Sequence, residues 1–502
     1  MTEKSIIIIG GGIAGLSAGV YGRMNGFRTQ IFEMHKKKPG GLCTAWKRQG
    51  YTINGCIHWV VGSGPRSDFH RIWKDLGALQ GAAIVDFDEY ARVEDADGRQ
   101  FILYTDIDRL ERHMKETSPE DTALIEEFTA AVRRCTRLEP PLDKAPELLN
   151  LFDFLKLIIT KFPLLRILAK WNRISLAEFG ARFKHPLIGR AFSTFFPPDF
   201  SMTFMLMTLA WMHRRSAGYP LGGSLEFARR IEQRYLSLGG DIAYKSRAAK
   251  ILTENGRAVG VRLEDGTEHR ADYVISAADG HATIFEMLEG KYVDETIRHY
   301  YDTLIPFPSL VYIALGVNMA FPELTPSARG ITLLLPKPLV IAGKELEWVT
   351  AHFYTFDPAL SPEGKTTVVV MLKADYDYWK DLRTRDEHYK AEKDRVADEI
   401  IAILDRRFPG FASKVEMRDV SSPTTFVRYT GNWKGSVEGW LVTPATWRFG
   451  QVMRKTLPGL DHFYMAGQWV EPGGGLPAVA MSGRNVVQII CKKEKKRFLP
   501  QW

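Results

Sequence analysis

Short apolar runs bounded by glycine or acidic residues recur along the chain and predict buried strands. Ser5–Ile9 is apolar after its first residue and runs directly into Gly10, which is typical of a buried parallel strand. Alternating segments between Asp241 and Asp279 predict a strand, a hairpin that turns at Glu264–Gly266, and a returning strand. Further strands are predicted at Ser309–Leu315, Glu347–Phe353 and Thr366–Leu372.

Helical periodicity fills much of the chain between these strands. The predicted helices cover most of residues 100–215, Leu225–Leu238, Arg385–Phe408 and a C-terminal segment that begins near Pro477. Strands that alternate with helices favour an α/β class. Because no repeat or low-complexity linker separates the segments, the predicted domains interleave along the chain.

The turn after the first strand carries a glycine spacing with a specific chemistry. Gly10, Gly12 and Gly15 follow the G-x-G-x-x-G pattern, which permits a tight turn, a close approach to a pyrophosphate and close packing of helix on strand. The second strand ends at Glu33, about where a carboxylate that binds ribose hydroxyls is expected. The combination predicts a dinucleotide site at a helix N-terminus. No second such motif follows a later strand, so no separate NADPH domain is predicted.

Composition and charge narrow the class of protein. The chain has 502 residues, 45% of them hydrophobic and 25% charged, which is enough for two domains with cores. A net charge of +8 suits anionic partners, but no nucleic-acid-binding motif is present, so no nucleic-acid partner is expected. The spacing of the cysteines predicts neither a metal site nor a disulfide framework and favours the reducing cytoplasm; they are Cys43, Cys56, Cys135 and Cys491.

Two segments raise the question of membrane contact. Leu151–Trp171 is apolar, but four basic residues and Pro163 interrupt it, so we expect an amphipathic helix and not a membrane span. Its apolar positions recur at helical spacing: Leu151, Leu155, Ile158, Phe162 and Leu165. The helix fits either a membrane surface or an ordinary buried position with solvated lysines.

The second such segment is the basic tail. Lys492–Arg497 leads into Phe498, Leu499 and Trp502, and it fits either an anionic membrane surface or a solvated terminus. The apolar opening of the chain has neither the length nor the basic leader of a signal peptide. The expected location is therefore the cytoplasm, with peripheral attachment to the inner face of the membrane if these segments bind lipid.

Residues 191–212 are crowded with phenylalanine and methionine. Such a density indicates either core packing or an adaptable lining for a large apolar ligand, and the sequence leaves both interpretations open. Glycines at 40, 41, 50 and 55 predict a loop that winds close to a bulky ligand.

Taken together, these motifs resemble the phytoene desaturase, carotenoid isomerase and retinol saturase group within the flavin amine oxidoreductase superfamily. Besides the glycine motif and Glu33, the resemblance rests on several further segments, namely Gly40–Gly41 and the turn into Tyr51, Pro220–Gly223, Ser276–Asp279, Gly467–Trp469, Gly473–Leu476 with Pro477, and Ser482–Arg484. Two departures stand out, because many relatives carry acidic residues where this chain has Asn54 and Gln468.

The resemblance implies a Rossmann-type FAD-binding domain interleaved with a mixed α+β substrate domain that bears a helical, membrane-associating region. The expected FAD-binding parts are residues 1–90, 216–290 and 431–502. The expected substrate parts are the helical region 91–215 and a sheet with a helix at 291–430. The expected oligomeric state stays open.

The resemblance also implies noncovalent FAD and a set of contacts. The expected cofactor-binding residues are Gly10, Gly12, Ile13, Ala14, Gly15, Glu33, Met34, Gly41, Leu42, His58, Ala248, Ala277, Ala278, Asp279, Gly467, Gln468, Pro477, Ala478 and Val479. His58 and Glu471 are the candidates for acid–base chemistry, although His58 also fits a purely packing role.

The implied reaction is desaturation, saturation or cis–trans isomerisation at a carbon–carbon double bond of a long apolar isoprenoid or lipid, such as a carotenoid-like substrate. Two alternatives remain open at this point. One is a flavin amine oxidase, and the other is a non-catalytic protein that binds prenylated or lipid partners on the same fold.

Overall fold

The computed structural model describes residues 3–139, 143–341, 343–444, 453–473 and 475–500, without the side chains of residues 154, 157, 158 and 160–165. The predictions for Trp502 and for the side chains of Ile158, Phe162 and Leu165 lie outside the described residues.

The secondary structure alternates between strands and helices. The strands are β1 Ser5–Ile9, β2 Arg28–Glu33, β3 Ala45–Arg48, β4 Tyr51–Asn54, β5 Val60–Val61, β6 Ile84–Val85, β7 Glu89–Glu94, β8 Gln100–Tyr104, β9 Ala217–Pro220, β10 Asp241–Tyr244, β11 Ala248–Glu254, β12 Arg257–Leu263, β13 Glu268–Arg270, β14 Tyr273–Ser276, β15 Leu310–Val317, β16 Ile331–Ile341, β17 Lys344–Phe353, β18 Thr366–Lys373, β19 Val415–Ser421 and β20 Phe463–Met465. The helices are α1 Ile13–Met24, α2 Asp68–Leu76, α3 Ile107–Thr117, α4 Thr122–Cys135, α5 Leu151–Trp171, α6 Leu176–Gly180, α7 Pro186–Phe195, α8 Met202–His213, α9 Gly223–Ser237, α10 Glu295–Thr303, α11 Tyr376–Arg383, α12 Asp386–Arg407, α13 Pro423–Thr430 and α14 Gly475–Lys493.

A five-stranded parallel sheet in the order β10-β2-β1-β14-β20 gathers strands from distant parts of the chain. The predicted strand Ser5–Ile9 is confirmed as the central strand β1, and it is buried because helices cover both faces of such a sheet. The carboxyl ends of β1, β2 and β14 lie at one edge, where ligands bind in open α/β folds.

A second sheet has seven strands in the order β19-β15-β18-β17-β16-β7-β8. The predicted strands at 309–315, 347–353 and 366–372 are confirmed as β15, β17 and β18, and the predicted helix at 385–408 is confirmed as α12. One face of this sheet packs its apolar side chains against α12 in a separate core. The expected boundary at residue 91 falls inside β7, which pairs with β8 and β16 in this sheet.

The two helices α1 and α14 cross at very short range. A Cβ at Gly483 on α14 would lie 2.3 Å from the carbonyl oxygen of Ala14 on α1, so only glycine permits this approach. The Ser17 hydroxyl donates to the carbonyl of Ala480 (2.6 Å) and fixes the crossing. The N-terminal halves of the two helices are therefore locked together.

Helices α3–α8 form a separate layer with an aromatic core. Phe128, Trp171, Phe179 and Phe192 pack edge to face and are buried. On the outer side of this layer α5 exposes large apolar side chains, namely Leu151, Phe152, Leu155 and Ile159. No helix among the described residues has the length and apolar character that a bilayer crossing requires.

The basic tail docks on the body of the protein, which neither sequence interpretation anticipated. The Phe498 ring lies 5.7 Å from the Tyr21 ring, and the Arg484 guanidinium lies 4.9 Å from the Phe498 ring centre. The backbone N–H of Leu499 donates to the side chain of Asn25 (2.7 Å). Ring stacking and this hydrogen bond hold residues 498 and 499 against α1, while the lysines around them stay exposed.

Candidate functional site: a dinucleotide cradle beside an apolar cavity

The loop between β1 and α1 is built to approach a ligand with its backbone. A Cβ at Gly15 would lie 1.9 Å from the carbonyl oxygen of Gly10, so the helix packs on the loop only with glycine there. Gly12 is the N-cap residue of α1, and no side chain caps the first N–H groups at Ile13 and Ala14. Uncapped amides at a helix N-terminus favour a phosphate.

Glu33 at the end of β2 completes this cradle. Its carboxylate is buried and accepts hydrogen bonds from the N–H groups of Gly11 and His35, both at 2.6 Å. Burial raises the pKa of Glu33, and the two backbone N–H groups partly offset that rise. Met34 follows, with its sulfur near Gly431. The carboxylate is thus placed beside the glycine loop, as a ribose-binding residue requires.

Two further segments border the same edge of the sheet. The N–H of Ala277 donates to the carbonyl of Ile9 (2.9 Å), which continues β14 alongside β1 and places Ala278 next to Gly10. Ala248 is buried at the start of β11. The segment before Ala248 is joined to the end of β2 by a hydrogen bond from the Ser246 N–H to the Glu33 carbonyl.

Asp279 has a structural task in this arrangement. Its buried carboxylate accepts hydrogen bonds from the backbone N–H groups of Ala282 and Trp433, both at 2.8 Å. Burial raises the pKa of Asp279 to about 6. Because both oxygens bind backbone, Asp279 fixes the loop that carries Trp433 against β14.

The C-terminal segment brings a second helix N-terminus to the site. Gly467 has a positive φ of 104° and donates its N–H to the Ser482 hydroxyl (2.9 Å), with Gln468 next to it. Helix α14 begins at Gly475, and its first turn contains Pro477, Ala478 and Val479. Pro477 and Ala478 line a large cavity, so the positive end of the α14 dipole faces that cavity.

The loop that follows β4 is fixed by Asn54. Its amide nitrogen donates to the carbonyl of Ile57 (2.6 Å), and its amide oxygen accepts hydrogen bonds from the Ser224 N–H and hydroxyl. A carboxylate could not donate to Ile57, which gives a physical reason for asparagine here. The loop thereby holds His58 in the cavity wall, while Leu42, after the exposed Gly41, lines the same cavity.

The cavity has a volume of ≈ 1680 Å³, larger than the roughly 300–1,000 Å³ of ordinary small-molecule pockets. Its wall is dominated by aromatic and aliphatic side chains, among them Trp59, Phe196, Phe200, Phe204, Trp211, Phe307, Trp348, Met371, Phe426, Trp440, Leu441 and Met481. A cavity of this size and character suits a bulky ring system together with a long apolar chain.

The Phe/Met-rich segment serves both of the functions that the sequence left open. On α8, Met202, Met205 and Leu209 are buried in the main core. Met207 and Trp211 line the cavity. The 3.6-residue helical period thus separates a packing face from a lining face within one helix.

A group of polar side chains interrupts the apolar wall. Its members that line the cavity are His58, Arg329, His352 and Glu438. The His58 and His352 rings stack at 4.3 Å, and the Tyr354 hydroxyl lies 3.4 Å from Nδ1 of His58. Burial and the Arg329 charge lower the pKa of His58 to about 3, so its imidazole is neutral at physiological pH.

The acidic member of this group is Glu438. Burial raises the pKa of Glu438 to about 7, although the positive charge of Arg329 opposes the rise. The other acidic candidate, Glu471, is held in an ion pair with buried Lys455 (2.6 Å), which also pairs with Glu147. Glu471 therefore anchors the loop before α14. Glu438, in contrast, is a cavity carboxyl that titrates near neutral pH.

Sequence reasoning missed Arg329, His352 and Glu438. The sequence did contain an indication for His352, because a histidine inside the apolar strand Glu347–Phe353 is expected to be buried. A buried polar side chain in such a strand suggests a functional role. Arg329 and Glu438 lie in loops without a motif, and only the tertiary structure brings them together.

The comparisons with known proteins agree with this geometry. A model of the flavin-containing amine oxidoreductases matches residues 13–491. The chain is 28% identical to prolycopene isomerase of Arabidopsis thaliana over 58% of its length, and spans about half (49%) of that plant protein. It is 24% identical to the lycopene-forming phytoene desaturase of a Paracoccus species over 97% of both chains.

A solved structure, cyclohexylamine oxidase from Brevibacterium oxydans, has the same fold at 14% identity. The TM-score is 0.59, with 99% of this chain and 100% of the other covered. The uncapped N-terminus of α1, the glycine cradle and Glu33 fit FAD, which is the cofactor of this chain.

We predict that Gly15→Ala abolishes flavin retention. The added Cβ would meet the Gly10 carbonyl at 1.9 Å, which forces α1 away from the phosphate loop. The flavin absorbance of the purified variant should fall at least tenfold relative to the wild type. Gly98→Ala is the control for a general loss of stability: its φ of +80° makes alanine strained, but its Cβ meets nothing within 4 Å, so the flavin should be retained. Normal flavin content in Gly15→Ala would contradict the assignment.

We predict a pH-dependent stability difference between the wild type and Glu438→Gln. Because the pKa rises from 4.5 to about 7 on folding, the folded protein retains this proton over a pH range in which the unfolded chain loses it. Wild-type stability should therefore fall relative to the variant as the pH rises through this range, and the difference should be constant above it.

Melting temperatures measured from pH 5 to pH 8 would check this prediction. The exposed Glu363→Gln serves as the control. A difference between the wild type and Glu438→Gln that does not change with pH would show that Glu438 does not titrate there.

Proposed function

Because the chain belongs to the flavin-containing amine oxidoreductase family, we propose that it uses noncovalently bound FAD to alter a carbon–carbon double bond of a long apolar isoprenoid or lipid. The observation that supports this substrate class most strongly is the ≈ 1680 Å³ cavity with its aromatic and aliphatic wall at the N-terminus of α14. The relatives named as a carotenoid isomerase and a phytoene desaturase support the same class.

The flavin ring supplies hydride chemistry, since it accepts a hydride from an allylic carbon or returns one to an alkene. The chain's own residues bind, orient and exclude water. Phe200, Trp348 and Trp440 form rigid walls that restrict an extended chain, and His58 is neutral and presents no charge to it. Desaturation, saturation and isomerisation are all compatible with this arrangement.

The first test is an anaerobic titration of the purified holoprotein. We expect a polyene or long-chain alkene to bleach the oxidised flavin if the reaction is a desaturation, and primary amines to leave it oxidised. If no compound bleaches the flavin, the protein is reduced chemically and mixed with a polyene. A saturase should then be reoxidised by the polyene, whereas an isomerase should change the geometry of a double bond without net oxidation or reduction of the flavin. Bleaching by amines alone would overturn the proposal in favour of an amine oxidase.

A cavity-filling variant tests the length of the substrate. Thr208 is buried on α8 and lines the cavity, so Thr208→Trp should shorten the available space. We predict at least a tenfold loss of turnover with a long polyene, a smaller loss with a short alkene, and unchanged flavin content. Equal losses for both substrates would argue that the cavity does not bind the apolar chain of the substrate.

Release of the flavin into the supernatant on acid precipitation of the protein would verify that FAD is bound noncovalently.

We also propose that the protein takes its substrate from a membrane surface, peripherally and from the cytoplasmic side. Helix α5 supports this, because Leu151, Phe152 and Ile159 are about three-quarters exposed while Leu168 on the same helix lines the cavity. The same helix would thus contact lipid at one end and border the substrate site at the other. Apolar side chains on an amphipathic helix insert into the headgroup boundary of a bilayer.

We predict that replacing Leu151, Phe152, Leu155 and Ile159 by serine lowers partitioning onto phosphatidylglycerol-containing vesicles at least tenfold. Complete burial of each such side chain contributes about 1.5–3 kcal/mol. Partial insertion of the four side chains is therefore enough to account for a tenfold change in partitioning. Co-sedimentation with vesicles measures the effect. The control replaces exposed apolar residues elsewhere, Leu236, Ile305 and Val340. Equal losses in both variants would contradict a specific role for α5.

A further inference from the structure

The polar group in the cavity wall is assembled by three neighbouring strands. Arg329 precedes β16, and its backbone N–H donates to the carbonyl of Tyr90 on β7 (2.8 Å). Gly330 lies against the backbone of His352 on β17, since a Cβ there would meet His352 Cα at 2.9 Å. Tyr90, Arg329 and His352 therefore lie at the same place in the sheet, and Glu438 approaches from a loop.

Glu438, the acidic member of this group, forms no ion pair with the Arg329 guanidinium, and burial favours the uncharged form of its carboxyl. Among the described residues the side-chain neighbour of Arg329 is the Phe196 ring, whose centre lies 5.8 Å away, and Arg329 forms no ion pair. Arg329 lines the same cavity as His58, His352 and Glu438. A partly buried arginine that forms no ion pair can offer its N–H groups to an anion.

Two unsatisfied polar atoms point the same way. The Tyr90 hydroxyl and Nε2 of His352 are buried, and neither has a hydrogen-bond partner in the part of the chain that the structure describes. Buried polar atoms in native proteins are nearly always paired, so each such orphan requires an explanation. A ligand that brings oxygen atoms to Arg329 would place them near His352, which lines the same cavity.

We propose that Arg329 and His352 bind the carboxylate of an otherwise apolar substrate, so that the substrate of this enzyme is a long-chain acid and not a hydrocarbon. The inference rests on the proposed function, because it places the acid in the same cavity. The planar guanidinium offers two parallel N–H donors to a carboxylate, and the neutral His352 ring adds a donor or an acceptor.

A positively charged end group does not suit this pocket. A substrate ammonium would face the Arg329 charge, and the carboxyl of Glu438 is partly protonated near neutral pH and so offers it little compensation. A pure hydrocarbon would leave the Arg329 guanidinium and Nε2 of His352 without partners, which costs binding energy. A carboxylate can pair with both, and the protonated Glu438 can donate to it as well.

The experiment compares two ligands with the same chain, one with a carboxylate and the other with an uncharged methyl ester. cis-Parinaric acid, a polyene fatty acid, and its methyl ester are titrated into the flavin-loaded protein, and binding is followed by quenching of tryptophan emission. Trp59, Trp348 and Trp440 line the cavity and report on its occupancy. The wild type should bind the acid about tenfold to hundredfold more tightly than the ester.

Arg329→Met removes the charge and the N–H donors while it keeps an unbranched apolar stem. We expect this variant to bind the acid no more tightly than the ester, with the ester affinity unchanged. Arg329→Lys keeps the charge and should retain part of the preference, which guards against a folding defect in the methionine variant. Arg109→Met, which removes an arginine stacked on Tyr104 outside the cavity, is the matched control.

The outcomes separate this inference from the proposed function. Equal affinity for acid and ester in the wild type, or an equal loss of both in Arg329→Met, would overturn the carboxylate site and leave the apolar cavity standing. Binding of neither ligand would overturn both the inference and the proposed substrate class. A preference for the acid that disappears only with the Arg329 charge would establish the site.

Discussion

The close crossing of α1 and α14 is the constraint on which the rest of the site depends. Gly483 lets the two helices approach to a distance that a side chain would forbid, and the bond from Ser17 to the Ala480 carbonyl holds them there. The two helix N-termini consequently lie at one site, although the sequence separates them by more than 450 residues. Two positive dipole ends would then be available to the phosphates and the ring of a bound flavin dinucleotide.

The second sheet supplies what the first one lacks. Parallel strands with glycine turns can hold a dinucleotide, but they provide no large apolar surface for a second ligand. Strands β15, β17 and β18 and helix α8 contribute to the cavity wall, and Asn54 fixes the loop after β4 by hydrogen bonds to Ile57 and Ser224. The dinucleotide cradle therefore lies on one sheet, and the second sheet forms part of the apolar wall.

Much of this architecture was predictable from local sequence. The run Ser5–Ile9, the glycines at 10, 12 and 15, and Glu33 each have a local physical reason, and the structure places them together at the edge of one sheet. Strands with strong alternation, such as 366–372, were also predictable, because burial on a sheet face dictates their pattern.

The remaining features depend on contacts between distant residues. No pattern near Arg329 or Glu438 indicates that the two side chains share a cavity. Likewise, no pattern in the basic tail indicates that Phe498 packs against Tyr21 and Arg484. The role of Glu471 was equally hidden, because its partner Lys455 is buried by tertiary packing. Polar residues outside motifs acquire their roles from the fold, so local sequence does not reveal them.

The most direct measurement is a crystal structure of the flavin-loaded protein with a bound long-chain acid. We predict that the flavin ring lies in the cavity beside Pro477 and Ala478, with the acid chain along the aromatic wall and its carboxylate on Arg329. A flavin ring outside this cavity, or a ligand whose polar end lies away from Arg329, would contradict this prediction.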